Sequence, residues 1–380
     1  MSTGPTGAAG LNVLMTSTSY PENLQDWRGR FIANMAGALA RRGDISLSLW
    51  APPGDLPAGV AAASTPADAA WLAHLSQRGG IAHLLRTRKL LAMGTILSLI
   101  ARLGRAYRKH SPDVAHVNWL QNALPLWGTS TPALITVLGT DFGLLRLPGM
   151  RSLLRALLRQ RRAILAPNAE WMRPFLQQAF GDVAEVRTIA FGVDDPWFEL
   201  VRQPLPVEGP RHWLAVTRLT KNKIGDLFEW GDGLFGTSRQ LHLFGPMQEQ
   251  ISLPSWVQYH GPTHPADLLE RWFPIACGLI TLSRHDEGRP QVMLEAMAAG
   301  LPVLASDLPA HRDIVQHRAT GWLAETPQDL ATGLAWLNDA ANNRHIGQAA
   351  RRWIKDRVGT WDDCAGRYAA AYQELLGWGS

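Results

Sequence analysis

Short runs of apolar residues alternate along the chain with longer segments in which apolar residues recur every three or four positions. The first apolar runs, Leu11–Met15 and Ile45–Trp50, flank the segment Arg28–Arg41, where Ile32 and Leu39 share one helical face. This order of strand, helix and strand predicts a parallel sheet covered by helices. Further short strands are predicted at Val114–Val117, Ala133–Val137, Ala163–Ala166 and Val186–Ala190.

The same pattern restarts after the proline-rich stretch Arg202–Pro210, which we interpret as a linker. Strands are predicted beyond it at Trp213–Val216, Leu241–Phe244, Val257–His260, Gly278–Leu282 and Val303–Ala305, and a final helix at Trp361–Leu376. A chain of 380 residues exceeds the size at which one core stops growing. The predicted fold class is therefore α/β, with one Rossmann-like domain over residues 1–200 and a second over 201–361.

Composition narrows the class of protein. Hydrophobic residues make up 46% of the chain and charged residues 18%, which is typical of a globular protein. Two distant cysteines, Cys277 and Cys364, indicate a reducing compartment and no disulfide framework. Residues 1–10 lack the basic start of a secretory signal, and the longest uncharged apolar run, Leu90–Ala101, is shorter than the ~20 residues of a membrane span. We therefore expect a cytoplasmic protein without a transmembrane anchor.

The net charge of +5 comes from the first half of the chain. Residues 1–200 hold 20 Lys and Arg against 13 Asp and Glu, and two segments, Arg78–Lys109 and Arg146–Arg162, contain no acidic residue. Both segments interleave basic and apolar residues at helical spacing, a pattern that fits an anionic membrane surface. Ordinary solvated helix faces are the alternative, and nucleic acid is disfavoured because no binding motif accompanies the charge.

Two glutamates lie at a predicted helix near the C-terminus, and the sequence marks both ends of this helix. Pro290 suits the first position of this helix and Gly300 the residue just past its end, so Glu287 lies before the helix and Glu295 inside it. A separation of eight residues corresponds to roughly 12 Å along a helix axis. The two acids of a glycosidase lie about 5 to 9.5 Å apart, so this pair is better suited to binding two ends of an elongated ligand.

Basic residues follow the first strand of the second domain. Arg218 can bind two phosphate oxygens through its guanidinium, and the Lys223 ammonium acts as a compact point charge, so the two residues suit a diphosphate. The start of the helix at Pro290 adds backbone N–H groups. A GxGxxG match at Gly231–Gly236 precedes a strand instead of following one, which disfavours a nicotinamide dehydrogenase.

At this point the chain resembles glycosyltransferase family 4, a family of retaining enzymes with the GT-B fold. Arg218 and Lys223 resemble the family's Arg-Leu-x-x-x-Lys signature, and Glu287–Gly300 resembles its Glu-x7-Glu signature. Weaker matches are the turns at Gly245 and His260 and the segments Pro112–His116 and Ala190–Asp194. The resemblance implies two Rossmann-like domains facing each other across a cleft, with residues 362–380 packing back on the first domain.

The resemblance also implies residue roles. Glu295 would bind the donor ribose, Glu287 the transferred sugar, and Arg218 and Lys223 the diphosphate of a UDP- or GDP-linked donor. The remaining donor-binding candidates are Gly245, His260, Gly288, Arg289 and Pro290. No metal or other cofactor is expected, because basic side chains and a helix end would neutralise the leaving group, and no protein nucleophile is expected.

Several positions depart from the family pattern. Arg289 stands where the family often has an aromatic residue, so it is expected to reach a donor phosphate or an acidic sugar. Ile224 separates the signature lysine from Gly225. The acceptor side lacks the usual His-Gly pair and leaves Asp141 and His116 as catalytic candidates, each of which has a structural alternative. Trp119 and Trp127 are candidates for stacking on sugar or meeting lipid headgroups, with a place in the core as the alternative.

These observations predict a transferase that moves a sugar from a nucleotide diphosphate to a lipid-linked glycan acceptor, at the inner face of the cytoplasmic membrane, in bacterial surface polysaccharide (lipopolysaccharide) biosynthesis. A GT-B nucleotide-sugar epimerase and a non-catalytic nucleotide-sugar binder are the alternatives.

Overall fold

The structure is a computed structural model, and it describes residues 10–23, 26, 29–78, 89–206, 208–285 and 287–377. The chain divides into two compact units. The first unit runs to Phe191 and takes in the chain again from Trp361, and the second unit is Gly192–Thr360. The sequence places the boundary later, at residue 200. The structure places residues 192–200 in the second unit because Val193, Trp197 and Leu200 are buried in its core.

The strands are β1 Leu11–Thr16, β2 Ile45–Trp50, β3 Val60–Ala62, β4 Val114–Asn118, β5 Ala133–Val137, β6 Ala163–Pro167, β7 Glu185–Val186, β8 Arg211–Val216, β9 Arg239–Phe244, β10 Val257–Gly261, β11 Ala276–Thr281, β12 Val303–Ser306 and β13 Trp322–Ala324. The α-helices are α1 Arg30–Arg41, α2 Pro66–Gln77, α3 Lys89–His110, α4 Asp141–Leu145, α5 Met150–Leu158, α6 Arg173–Phe180, α7 Asp195–Glu199, α8 Lys221–Ile224, α9 Leu227–Gly231, α10 Pro265–Asp267, α11 Gln291–Ala298, α12 Pro309–Arg312, α13 Pro327–Asn338, α14 Ala340–Arg357 and α15 Trp361–Leu376.

The first unit is built on a parallel sheet with the strand order β3-β2-β1-β4-β5-β6-β7. β1 pairs in register with β2 from Leu11 opposite Ile45 to Thr16 opposite Trp50. The order reverses between β1 and β4, as in other doubly wound sheets, and this reversal creates a crevice at the carboxyl ends of those two strands. The short edge strand β3 was not predicted, and the predicted strand Val186–Ala190 is reduced to Glu185–Val186.

Helices cover both faces of this first sheet, because its strands are apolar on both sides. α1 buries Ile32, Met35 and Leu39 against the sheet, and α15 packs on the same face with Tyr368 and Tyr372 fully buried. Helix α5 lies inside the predicted basic segment Arg146–Arg162. In the other basic segment, Arg86 and Arg88 lie outside the described residues. No described helix is both long and apolar enough to span a membrane.

The second unit contains a parallel sheet with the order β10-β9-β8-β11-β12-β13. Its order also reverses in the middle, between β8 and β11, so the carboxyl ends of these two strands are the expected ligand edge. Gly278 allows β11 to lie against Trp213, since a Cβ at this position would stand 2.5 Å from the indole ring. The three-residue strand β13 was not predicted.

The proline-rich stretch Arg202–Pro210, interpreted as a linker, follows the unit boundary at Gly192 and so belongs to the second unit. Arg202 itself is anchored in the second unit. Its guanidinium donates to the carbonyl oxygens of Gly300 at 2.9 Å and Ala276 at 2.8 Å, and to Asn343 Oδ1 at 2.9 Å. These bonds satisfy carbonyls at the end of α11 and the start of β11.

Candidate functional site

Two loops meet at the carboxyl edge of the second sheet, one after β8 and one after β11. Backbone hydrogen bonds join them, from Arg284 N to Asn222 O at 2.8 Å and from Asp226 N to Leu282 O at 3.0 Å. Gly225 makes this approach possible, since its φ is +56° and a Cβ there would lie 2.0 Å from the Leu282 oxygen. The neighbouring positions of β8 and β11 therefore bring the two signature segments together.

The contact between these loops that matters for chemistry is the ion pair of Lys223 and Glu287. Lys223 Nζ lies 2.5 Å from Glu287 Oε1, and the two side chains are 14% and 13% exposed. Burial lowers the pKa of the Lys223 ammonium; Glu287 opposes this shift and the charge of Arg218 adds to it. Arg218 therefore acts electrostatically on the pair. Basic side chains close together at this edge are the groups that an anionic ligand would contact.

The local sequence positions both partners of this pair. Thr220 caps the short helix α8, where its hydroxyl accepts a hydrogen bond from Lys223 N at 3.3 Å. Glu287 lies in the loop before α11, as predicted, and Ser283 Oγ lies 3.4 Å from its Oε1. Helix α11 is shorter than predicted, because Pro290 has an extended ψ of 115° and acts as the N-cap residue.

Helix α11 presents the second glutamate of the signature. Glu295 is half-buried, between the buried residues Leu294 and Ala296. The helix ends as predicted, since Gly300 takes a left-handed φ of +70°. At its other end, Gln291 Nε2 donates to Gly192 O at 2.8 Å, which fixes the start of the helix within the second unit. Gly288 and Pro290 are half-buried in the loop that leads into it.

Arg289 forms a buried ion pair that the sequence analysis did not predict. Its guanidinium pairs with Asp313 Oδ2, at 3.1 Å from Nε and 2.5 Å from the terminal nitrogen, and the side chains of Arg289 and Asp313 are only 7% and 6% exposed. Two guanidinium N–H groups donate to the same carboxylate oxygen, and charged hydrogen bonds of this kind are the strong ones. The pair gives Arg289 a structural contact, and its contact with a donor phosphate or an acidic sugar stays a prediction.

The turns that follow β9 and β10 lie at the same edge. Gly245 has φ +129°, and a Cβ there would lie 1.8 Å from Thr217 O, so no other residue fits. Its carbonyl accepts a hydrogen bond from the Tyr259 hydroxyl at 2.8 Å. His260 stacks on Phe244, with ring centroids 4.7 Å apart. Both residues are thus placed where the sequence predicted a nucleotide-binding turn.

A ladder of three histidines crosses this part of the sheet and was missed by the sequence analysis. His212 Nδ1 lies 2.9 Å from His242 Nε2, and His242 Nδ1 lies 3.0 Å from His260 Nε2. Burial, with the charges of the two neighbouring histidines, lowers the pKa of His242 to about 4, so the middle ring is neutral at physiological pH. The available signal was a histidine directly before the predicted strand Trp213–Val216 and one inside each of the next two predicted strands.

His311 and two serines form a second feature that the sequence analysis missed. His311 Nδ1 lies 2.8 Å from Ser306 O, and Ser306 Oγ donates to Ser283 O at 2.8 Å, which links the end of β12 to the loop of Glu287. His311 is fully buried, and burial lowers its pKa. The network fixes the backbone from which Glu287 projects.

The two acceptor-side candidates lie in the first unit. His116 is fully buried, with Nδ1 2.5 Å from the Tyr372 hydroxyl and Nε2 2.9 Å from Thr136 Oγ1, and burial lowers its pKa to about 3. Asp141 is buried as well and accepts hydrogen bonds from the backbone N–H groups of Leu120 and Leu138. Burial raises the pKa of Asp141 to about 7. These contacts favour the structural alternative for both residues.

Among the residues that the structure describes, no group of three or more His, Cys, Asp or Glu side chains is arranged to hold a metal ion.

Comparison with known proteins relates this geometry to other chains. Residues 253–353 match the family model described as "Glycosyl transferases group 1". No curated protein sequence matches the chain significantly.

Among solved structures, the sucrose-phosphate synthase of Thermosynechococcus elongatus aligns with a TM-score of 0.69 at 16% identity, over 97% of this chain and 100% of that chain. Anabaena HepE in complex with UDP and glucose aligns with a TM-score of 0.65 at 15% identity, over 96% and 100%. The lipopolysaccharide outer core galactosyltransferase WaaB aligns with a TM-score of 0.63 at 13% identity, over 95% and 99%. The predicted fold class is confirmed: the chain has two Rossmann-like units and matches the structures of GT-B glycosyltransferases.

Proposed function

We propose that the protein is a glycosyltransferase that moves a sugar from a nucleotide diphosphate donor to a glycan acceptor, with retention at the anomeric carbon. The observation that carries this proposal is the buried Lys223–Glu287 pair, with Arg218 close by, at the carboxyl edge where β8 and β11 meet. The segments that contain these residues resemble the family 4 signatures, which supports a glycosyltransferase. The family model match over residues 253–353 supports it as well. The similar protein HepE has been crystallised with UDP and glucose, which supports a nucleotide-sugar donor.

The arrangement of the second unit suggests how a donor would bind. Arg218 and Lys223 would hold the diphosphate, and Glu287 would accept hydrogen bonds from hydroxyls of the sugar. Glu295 is placed eight residues further along the chain, inside α11, and would accept the ribose hydroxyls. Charged hydrogen bonds contribute about 1.5–3 kcal/mol each, so a few of them account for specific binding.

In the proposed reaction the bond between the anomeric carbon and the diphosphate oxygen breaks, and its electron pair leaves with the nucleotide diphosphate. The acceptor hydroxyl forms the new bond on the same face of the sugar, and its proton passes to the leaving phosphate oxygen. Lys223 and Arg218 stabilise the negative charge that develops on that oxygen. The products are a glycoside and a protonated nucleoside diphosphate, so no redox partner, protein nucleophile or metal ion is required in this scheme.

The acceptor is proposed to be lipid-linked, as in the assembly of bacterial surface polysaccharides such as lipopolysaccharide. Large apolar side chains are exposed on the helical layer of the first unit that carries the basic segments: Met93 is 61% exposed, Leu97 67%, Leu147 51% and Leu153 41%. Exposed leucines beside arginines suit an anionic membrane surface. Arg155 is paired with Asp182, which reduces the free charge of this face. Vesicle flotation without preference for anionic lipids would remove this part of the proposal.

The donor is tested by a thermal-shift panel of UDP-, GDP- and ADP-sugars. A ligand at 100 times its dissociation constant stabilises the protein by about 2.7 kcal/mol, which is measurable. Glu295→Ala should remove the response; if it does not, the assignment of Glu295 to the ribose is wrong. An epimerase would instead convert the sugar of the donor without releasing nucleotide, and a non-catalytic binder would show a shift without turnover.

A further inference from the structure

The backbone of Trp119 adopts an unusual conformation, with φ +66° and ψ +137°. Residues with a side chain rarely take a positive φ, because their Cβ atoms crowd the neighbouring backbone. Strain of this kind persists only where surrounding contacts enforce it, and it is concentrated at functional sites. The strained residue is a half-buried tryptophan in a turn, where glycine would be free of strain.

The contacts of Trp119 explain how the conformation is held. Its N–H donates to Thr136 O at 3.0 Å, and its carbonyl accepts from Asn122 N at 3.1 Å. The indole lies edge-on to Phe31, with centroids 6.0 Å apart, and Phe31 stacks on Phe191 at 5.0 Å. Contacts on the backbone and on the ring therefore fix the indole in one orientation.

Unpaired polar groups flank this residue on both sides. Asn118 and Asn122 are fully buried, and their Nδ2 atoms donate to Thr16 O at 3.2 Å and Asn118 O at 2.7 Å. The Oδ1 atom of each has no hydrogen-bond partner among the described residues. A buried acceptor left unpaired costs stability. Strain and unpaired amides within five residues indicate that this turn is maintained for a function.

The position in the fold points to ligand binding. Trp119 directly follows β4, and β4 neighbours β1 at the point where the strand order of the first sheet reverses. In open α/β sheets ligands bind at the carboxyl ends of the strands at such a switch point. The loop that starts at Ser17, after β1, lies at the same edge.

We propose that the indole of Trp119 is the platform on which a pyranose ring of the acceptor glycan stacks. This inference rests on the proposed function and names an acceptor contact for it. The C–H face of a pyranose is apolar and slightly positive, and it matches the negative face of an indole. The strained backbone sets the direction of that face, and a rigid platform loses little entropy when a sugar binds.

Saturation-transfer NMR on the full chain tests the proposal, with the methyl glycosides of glucose, galactose and mannose and with N-acetylglucosamine as probes. Trp119→Gly removes the ring and the strain that a side chain causes at a positive φ. The variant should therefore still fold, and a thermal melt would show this. Trp119→Phe retains an aromatic face. Trp127→Ala is the comparison variant. Trp127 is the other tryptophan considered for sugar stacking; it follows the 3₁₀ helix Leu120–Leu126, is 49% exposed and has an unstrained φ of −50°.

We expect at least one probe to bind the unmodified protein, with saturation concentrated on the protons of one sugar face. Trp119→Gly should weaken that binding about tenfold, whereas Trp119→Phe and Trp127→Ala should retain it. Absence of binding to every probe, or equal losses in Trp119→Gly and Trp127→Ala, would overturn the proposal. If Trp119→Gly no longer binds phosphatidylglycerol vesicles but still binds the glycosides, the proposal would be overturned, and Trp119 would contact lipid instead.

The donor panel separates this inference from the proposed function. Nucleotide-sugar binding depends on residues of the second unit and should be unchanged in Trp119→Gly. If the protein binds no nucleotide sugar but binds glycosides in a way that depends on Trp119, only the proposed function is refuted. A protein that turns over its donor and binds glycosides independently of Trp119 would refute the inference alone.

Discussion

The substitution Asp313→Asn removes the negative charge that neutralises Arg289. Both side chains are at most 7% exposed, and the guanidinium cannot lose its proton, so the variant would leave a buried charge unpaired. Removal of one partner of such a pair costs about 3–5 kcal/mol. For a domain of 150–250 residues, each kcal/mol lowers the melting temperature by about 2–4 °C. We therefore expect the transition of the second unit to fall by roughly 6–20 °C.

Differential scanning calorimetry measures this shift, and the chain provides a matched control. Arg41 and Asp362 form an ion pair of the same type and length, but their side chains are 59% and 62% exposed. Asp362→Asn should cost no more than about 1 kcal/mol, because exposed pairs are screened by solvent. The double variant Arg289→Met with Asp313→Asn should recover stability relative to Asp313→Asn alone, since no charge is then left buried.

The same variants decide between the two roles of Arg289. If the pair is structural, Arg289→Met should change stability and leave the order of preference among donor sugars unchanged. A loss for Asp313→Asn no larger than that of Asp362→Asn, together with a new sugar preference in Arg289→Met, would refute the structural reading.

Three further predictions concern the donor site. Donor affinity, measured by calorimetry, should fall as the pH rises through the lowered pKa of Lys223. In Glu287→Gln this fall should begin at lower pH, because Glu287 raises the pKa of Lys223 in the unmodified protein. A fall at the same pH in both proteins would contradict this prediction. Gly245→Ala should lose donor binding and stability, because its Cβ would lie 1.8 Å from Thr217 O, whereas Gly236→Ala, with no atom within 4 Å, should behave as the unmodified protein does. Donor turnover should be unchanged by EDTA, and a loss that Mg²⁺ or Mn²⁺ restores would contradict the metal-independent scheme.

Much of the fold follows from apolar runs in the sequence. The predicted strand Ala133–Val137 is β5, because a strand buried on both faces needs a nearly continuous run of apolar residues. Edge strands carry no such signal: Val60–Ala62 has largely exposed side chains, and only its pairing with β2 makes it a strand. The predicted strand Val186–Ala190 is a strand only at Val186, although the N–H groups of Arg187 and Ile189 still donate to carbonyl oxygens of β6.

The candidate site was predictable where motif and strand end coincide. Lys223 and Glu287 each follow a predicted strand, but only the sheet order shows that β8 and β11 are neighbours and that the two side chains pair. The ion pair of Arg289 could not be predicted because its partner Asp313 lies 24 residues further along the chain. The histidine ladder was missed because its contacts depend on which strands are neighbours. His212 lies opposite Gln240 and His242 opposite Gln258, so the three rings meet diagonally across the strand pairs.

The central claim is that the second unit binds a nucleotide sugar through Lys223 and Glu287 and activates it for transfer. The most direct test is release of nucleoside diphosphate from the donor that gives the largest thermal shift, with ¹H NMR of the sugar released to water in the absence of acceptor. We predict slow release that yields first the anomer of the donor, and loss of this release in Lys223→Met and Glu287→Gln with both variants folded. No release by the unmodified protein, first appearance of the opposite anomer, or equal release by both variants would contradict the account.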